Sequence, residues 1–410
     1  MKIKQVLITL LLILILVIFN RVFLNTFNRA NNYFSTQNLY NNEVVQSQKL
    51  FEKTWKIINK EYYDPNLNHQ DWNKWKNHYQ GKIKTDEDAK VAIDTMIASL
   101  NEPYTRFMSK KDFEDLATSI TSKIYGIGVN IYSNSGKIEV FNVIQSTPAD
   151  FAGIKQGDII ISVDGKDING MNISDVASLV RGPENSIVEL TLLRGGKKLT
   201  KKIKRKEIKI KNVKSSIIDN HIGYIQIISF MGGTTPNEFL EALENTKNTD
   251  SIILDLRGNT GGLLDNAVFI ANMFIQQGEI VEIIYRNGQK KSINATFNQK
   301  FLDKPIVVLV NRASASASEI LSGALKDYKK AKLVGKKTFG KGLVQKVVPL
   351  PNQTGVNITI ARYLTPNGTD INKLGISPDI EIGNDYDFYL SNIKKDVQLE
   401  KAKEILNAKN

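Results

Sequence analysis

Residues 211–382 alternate between two kinds of segment. Short apolar runs recur at Gly223 to Ile228, Ile252 to Leu256, Ile280 to Ile284, Ile306 to Val310 and Lys332 to Val334. Between them lie stretches of helical period, at Pro236 to Asn245, Leu263 to Ile275 and Ala317 to Tyr328. An uninterrupted apolar run cannot leave one face in water, so it predicts a strand buried on both sides. Such strands need covering helices, which makes this segment an α/β layered domain.

The rest of the chain divides by pattern. Residues 119–210 carry short β-rich runs at Val129 to Tyr132, Ile138 to Val143, Asp158 to Val163 and Ile187 to Leu193. Turn signals such as Asp164-Gly165 separate them, and short helices are expected at Pro148 to Gly153 and Ser174 to Val180. Residues 47–118 have helical period, with Leu50, Trp55, Ile58 and Tyr62 on one stripe and Ala92, Met96 and Leu100 on another. Residues 25–46 are polar and read as a stalk, and 383–410 predict a charged amphipathic helix. In residues 1–24, Lys2 and Lys4 precede an uncharged run from Gln5 to Asn20, then Arg21 and Val22-Phe23-Leu24. No small-x-small cleavage site ends the run. A spanning helix needs about 20 apolar residues, and a snorkelling Arg21 lets the last three count. The expectation is an uncleaved signal-anchor with its lysines in the cytoplasm and the body outside.

Composition narrows the chemistry. With no Cys, disulfides, thiol catalysis and Cys-type zinc sites are excluded. The three histidines, His69, His78 and His221, lie away from the serine- and glycine-rich segments, so a Ser/His/Asp triad is poorly supplied. The net charge is +13. Its densest run, Lys197 to Lys214, alternates lysine with Leu, Ile and Val and holds no interleaved aromatics. That suits a strand with one solvated lysine face, which protects a sheet edge. Nucleic acid is not expected as a partner; anionic envelope polymers or lipid fit the charge better.

Two segments carry candidate chemistry. In Ser314-Ala315-Ser316-Ala317-Ser318-Glu319 a buried strand turns into a helix. A nucleophilic Ser316 there faces the positive helix end, where the Ala317 amide can stabilise an oxyanion. Any of the three serines would also serve as an N-cap. The second segment is Phe339-Gly340-Lys341-Gly342, with Gln345 beyond it. Lys341 as a general base needs its pKa brought from about 10.4 to about 7, a shift that burial can supply. Phe339 and Leu343 are the apolar neighbours available for that, and Gln345 can orient the amine. Gly-Lys-Gly also fits an exposed turn. Gly261-Gly262, after Asp255-Leu256-Arg257, can present a second oxyanion N–H or simply reverse the chain. Asp255 and Arg257 are a structural or a catalytic pair.

Near matches fail on context. Gly335 to Lys341 fits G-x-x-x-x-G-K, but Gly342 stands where a phosphate loop needs Ser or Thr, and a strand follows rather than a helix. Ser391-Asn392-Ile393-Lys394 fits S-x-x-K without a Lys-Thr-Gly partner. No metal-binding pattern appears, and no cofactor is implied.

Taken in order, these motifs resemble the C-terminal processing, or tail-specific, serine proteases. Leu100-Asn101-Glu102-Pro103-Tyr104-Thr105-Arg106-Phe107 is similar to the segment before that family's PDZ domain, and Tyr363 to Gly368 and Gly375 to Asp379 to its late core motifs. The resemblance implies Ser316 as nucleophile, Lys341 as base, Gln345 as the residue that positions the lysine, and Gly262 and Ala317 as oxyanion donors. The family's Asn-Pro before the paired glycines is here Asn259-Thr260, which implies a less rigid loop. Residues 119–210 resemble a PDZ domain, with Tyr125-Gly126-Ile127-Gly128 as its carboxylate-binding loop and Arg181 near the groove helix. The fold class is then α/β and β multidomain: a membrane anchor, a helical segment, a PDZ-like β domain and an α/β serine protease core. The implied partners are proteins or peptides with accessible C-termini, the membrane through the N-terminal helix, and a second copy in a homodimer. A non-catalytic PDZ scaffold competes with this reading; the joint presence of Ser316, Lys341 and Gln345 argues against it.

Overall fold

The computed structural model describes residues 43–121, 123–134, 136–209, 211–296, 303–383 and 396–408. The expected signal-anchor and most of the stalk lie outside the described residues, as does Ser391 to Lys394. Among the described residues no helix is long and apolar enough to cross a membrane. The chain forms two compact units.

The first unit joins the residues up to Phe113 to two later pieces, Tyr285–Gly288 and Val344–Ala361. Its helices cover 43–61, Trp72–Tyr79 and Asp86–Ala98. Leu50, Ile58, Ala92, Met96 and Leu100 form its core with Leu350, Val356 and Ile358, so both expected stripes face inward. The indoles of Trp55 and Trp72 each donate to the other's carbonyl, at 2.9 and 3.2 Å. Thr85 and Asp88 close a capping box at the start of the third helix. Strand Arg106–Met108 pairs antiparallel with Gly355 to Asn357, and Leu343–Pro349 pairs with Gly355–Leu364.

The second unit contains two sheets that matter here. In residues 129–204 the order is Val129–Asn134, Lys137–Val143, Ile159–Val163, Ile187–Arg194, Lys197–Lys204, each neighbour antiparallel. The lysine strand is the edge, with Ile203 buried and Lys198, Lys202 and Lys204 exposed. Helices Pro148–Phe151 and Ile173–Val180 pack on this sheet through Ala149, Val176 and Val180. Asp158 is fully buried and meets Arg194 at 2.6 and 2.7 Å.

The core sheet runs Val213–Ile218, Ile222–Ile227, Ser251–Asp255, Ile306–Val310, Ala331–Gly335, Ile380–Glu381, parallel from the second strand onward. Ser251–Asp255 and Ile306–Val310 are buried at every position, as continuous apolar runs require. Ala402 and Leu406 of helix Val397–Asn407 pack on the sheet against Ile253, Val307, Leu309 and Val334. The run at Ile280 to Ile284 is a strand, Gly278–Tyr285, but outside the parallel sheet: it pairs antiparallel with Lys290–Ala295.

Arg194→Ala should strand a buried carboxylate and lower stability at neutral pH, read as a lower urea midpoint. Burial pushes the Asp158 carboxyl up, but the Arg194 guanidinium and the Lys155 amide outweigh it and hold it below its usual range. The contribution is therefore present above the ordinary carboxylate pKa. It should vanish, and the two proteins converge, as pH falls through the depressed value.

Candidate active site

Strand Ile306–Val310 delivers the chain to Asn311, whose buried side chain organises the turn. Its Oδ1 accepts from the Gly258 and Ala313 amides, both at 3.1 Å. Ser314 Oγ donates to the Leu256 carbonyl (2.8 Å) and accepts from the Asn311 amide (3.0 Å). Ser318 Oγ donates to the Asn259 carbonyl at 2.9 Å. Both serines are fully buried and staple this turn to the loop after Ser251–Asp255. Ser316, between them, is only half-buried. The three serines, equivalent as possible caps in the sequence, are thus separated by their surroundings.

Ser316 has φ 56°, a conformation that costs a non-glycine residue about 1–3 kcal/mol. It sits at the N-cap of helix Ala317–Asp327, a sharp strand-to-helix corner of the kind that presents a nucleophile. The glycine loop presses against that corner. A Cβ on Gly261 (φ 103°) would lie 2.9 Å from Ser316 Cβ and 3.1 Å from the Ala317 amide nitrogen. One on Gly262 (φ 148°) would lie 2.2 Å from the Met231 nitrogen. Close approach on both sides, and not chain reversal alone, requires the pair. The loop is fixed without the proline: Asn259 is fully buried, accepts from the Gly261 amide (2.9 Å) and donates to the Ile227 carbonyl (2.8 Å).

Glu319 and Tyr363 close the site, and sequence reasoning assigned a role to neither. The fully buried Glu319 carboxylate accepts from the amides of Ser316 (2.8 Å), Gly340 (2.7 Å) and Lys341 (2.9 Å) and from the Thr338 hydroxyl (2.6 Å). Burial pushes this carboxyl above its ordinary value, against the pull of those four donors. On the other side the Tyr363 hydroxyl lies against the carbonyl oxygens of Ser316 (3.1 Å) and Lys341. Both backbone faces of the serine corner are therefore tied to the lysine loop. The signal for Glu319 was present as S-x-x-E at the helix start, with the acid three residues after Ser316.

Lys341 is half-buried. Its flanking glycines fit against a following loop: Cβ atoms on Gly340 and Gly342 would lie 2.9 Å from the Gly375 nitrogen and 2.7 Å from the Asn372 nitrogen. Leu343 is buried as expected, but Phe339 is 55% exposed and does not wall off the lysine. Gln345 lies in strand Leu343–Pro349, half-buried, and its amide donates to Thr359 Oγ1 at 3.3 Å. Arg257 is buried and bonds Asp255, Asp396 and Gln398, which makes Asp255 and Arg257 a structural pair.

The β domain holds a groove of about 260 Å³ lined by Gly126, Ile127, Gly128, Ile173, Val180 and Arg181 among others. A Cβ on Gly128 (φ 90°) would overlap the Thr147 side chain at 2.3 Å, so this position cannot carry one. Tyr125 lies beside the groove, its carbonyl accepting from the Gly182 amide at 3.4 Å. Arg181 caps the end of the groove helix.

A serine at a strand-to-helix corner of an α/β core, together with a grooved β domain, defines a serine peptidase built with a PDZ domain. Residues 221–382 match peptidase family S41, 139–194 match the PDZ domain and 46–90 match the tricorn protease C1 domain. The carboxyl-terminal-processing protease of Synechocystis is 35% identical over 82% of this chain and 81% of its own length. The carboxy-terminal processing protease CtpA of Bacillus subtilis is 40% identical over 73% of this chain and 65% of its own. Among solved structures, the photosystem II D1 C-terminal processing protease superposes with a TM-score of 0.58 at 32% identity, covering 88% of this chain and 97% of that one. The chain belongs to the C-terminal processing peptidases of family S41 and is a serine peptidase.

An amide at position 319 would face at least one of the four donors with another donor. Glu319→Gln should leave the protein folded by circular dichroism and lower kcat by about a hundredfold, the effect of a small misplacement of reacting groups.

Proposed function

We propose that Ser316 and Lys341 are the catalytic pair of an endopeptidase acting near protein C-termini. The observation that carries this reading is the Glu319 carboxylate, which binds the backbone amides of both residues across a 25-residue gap in sequence. Lys341, as the neutral amine, takes the Ser316 hydroxyl proton as Oγ bonds the scissile carbonyl carbon. The tetrahedral oxyanion is met by the amides of Gly262 and Ala317. Gly262 is the donor of its pair because the Gly261 amide is committed to Asn259. The C–N bond then breaks, the lysine returns its proton to the leaving amine, and water releases the acyl-enzyme by the same route. The half-buried lysine is drier once a substrate covers it, and that burial favours the neutral amine. Gln345, four residues on in the chain, orients the amine.

In this reading the PDZ groove captures the substrate tail, the peptide adding as a strand while amides near Gly126, Ile127 and Gly128 hold its carboxylate. Arg181 senses the bound end. Residues 1–24 tether the enzyme to the membrane with its body outside, and the helical ends pair two copies. The apolar run behind Lys2 and Lys4 supports the tether.

Ser316→Ala and Lys341→Ala should each abolish cleavage of a protein with an apolar tail while leaving tail binding, by fluorescence anisotropy, unchanged. Near-normal turnover by the Lys341→Ala protein would remove the proposed base.

A further inference from the structure

The sense of the Gln345 carboxamide is set from a distance, by a charge that the mechanism above does not use. A carboxamide has two ends of similar shape and opposite chemistry: the oxygen accepts, the nitrogen donates. To orient an amine that serves as base, Gln345 has to offer oxygen. A nitrogen offered instead would donate to the lone pair that the reaction needs.

The neighbouring hydrogen bonds decide which end points where. The Glu102 carboxylate can only accept. It receives the Tyr104 amide (2.6 Å), the Thr105 amide (3.0 Å), the Thr105 hydroxyl (2.7 Å) and the Thr359 hydroxyl (2.8 Å). The Thr359 hydroxyl has one proton, and Glu102 takes it. Toward Gln345, at 3.3 Å, the same oxygen is therefore an acceptor, and the end of the carboxamide that meets it is Nε2. Thr105 repeats the pattern: its proton goes to Glu102 and its oxygen accepts from the Thr359 amide at 3.1 Å. Thr105 and Thr359 are both buried, which keeps bulk water from reversing either hydroxyl.

We infer that Glu102, acting through Thr359, is a positioning residue that turns the Gln345 oxygen away from Thr359 and offers it as an acceptor. This rests on the reading of Gln345 as the group that orients the lysine amine. Glu102→Gln lets the new amide donate to Thr359 Oγ1. The Thr359 proton then turns toward Gln345, and the carboxamide has to flip.

The test uses the full chain and a quenched fluorescent peptide with an apolar C-terminal tail. Glu102→Gln and Thr359→Val should each lower kcat by about tenfold or more, the usual cost of losing an orienting partner, with KM nearly unchanged. The acid limb of the kcat–pH profile should move to lower pH, because an ammonium without its acceptor gives up its proton more readily. Thr359→Ser keeps the hydroxyl and should keep both wild-type kcat and profile. A purely structural role would lower the melting temperature and leave the acid limb in place. If Gln345→Ala is impaired while Glu102→Gln and Thr359→Val retain wild-type kcat and profile, the relay is wrong and the reading of Gln345 stands. If Gln345→Ala is itself unimpaired, that reading falls and takes the relay with it. Should Glu102→Gln fail to fold, the contrast between Val and Ser at position 359 decides.

Discussion

One buried carboxylate fixes the geometry on which everything else depends. Glu319 belongs to the helix that follows the serine corner, yet three of its four donors come from residues 338–341. Two segments that approach from different strands, Ile306–Val310 and Ala331–Gly335, are thereby held at one spacing. A charge sealed inside a protein is tolerable only when its acceptor sites are filled, and here they are filled by the two backbones whose separation matters. Tyr363 repeats the tie on the carbonyl side, so neither segment can rotate about the other. The strained φ of Ser316 persists because its surroundings over-determine it.

Much of this was legible in the chain. The strands Ile306–Val310 and Ser251–Asp255 announce themselves as apolar runs because both of their faces are covered. The serine corner and the paired glycines were visible as small residues flanking those runs. What periodicity cannot report is pairing across long separations. Residues 355–357 run beside Arg106–Met108, some 250 positions away, and nothing local in Gly355-Val356-Asn357 says so. The run at Ile280 to Ile284 shows the same blindness, since an apolar strand reads alike whichever sheet receives it.

Polar residues were harder still. Ser314, Ser316 and Ser318 are indistinguishable by type and spacing, and only the hydroxyl acceptors Leu256 and Asn259 tell which serine is left half-buried between two buried ones. Phe339 looked like cover for the lysine because it is aromatic and adjacent, but its ring is exposed to solvent. Asn259 shows the converse, a side chain that supplies by hydrogen bonding the rigidity expected of a missing proline.

Arg257 carries a consequence for biosynthesis. Its guanidinium, enclosed two residues past strand Ser251–Asp255, is bonded by Asp396 and Gln398, which follow it by 139 and 141 positions. A ribosome that has finished the strand leading into the glycine loop has not yet made those partners. Until translation has gone on that far, the cation has half of its ligation missing, and the platform beneath the loop is incomplete.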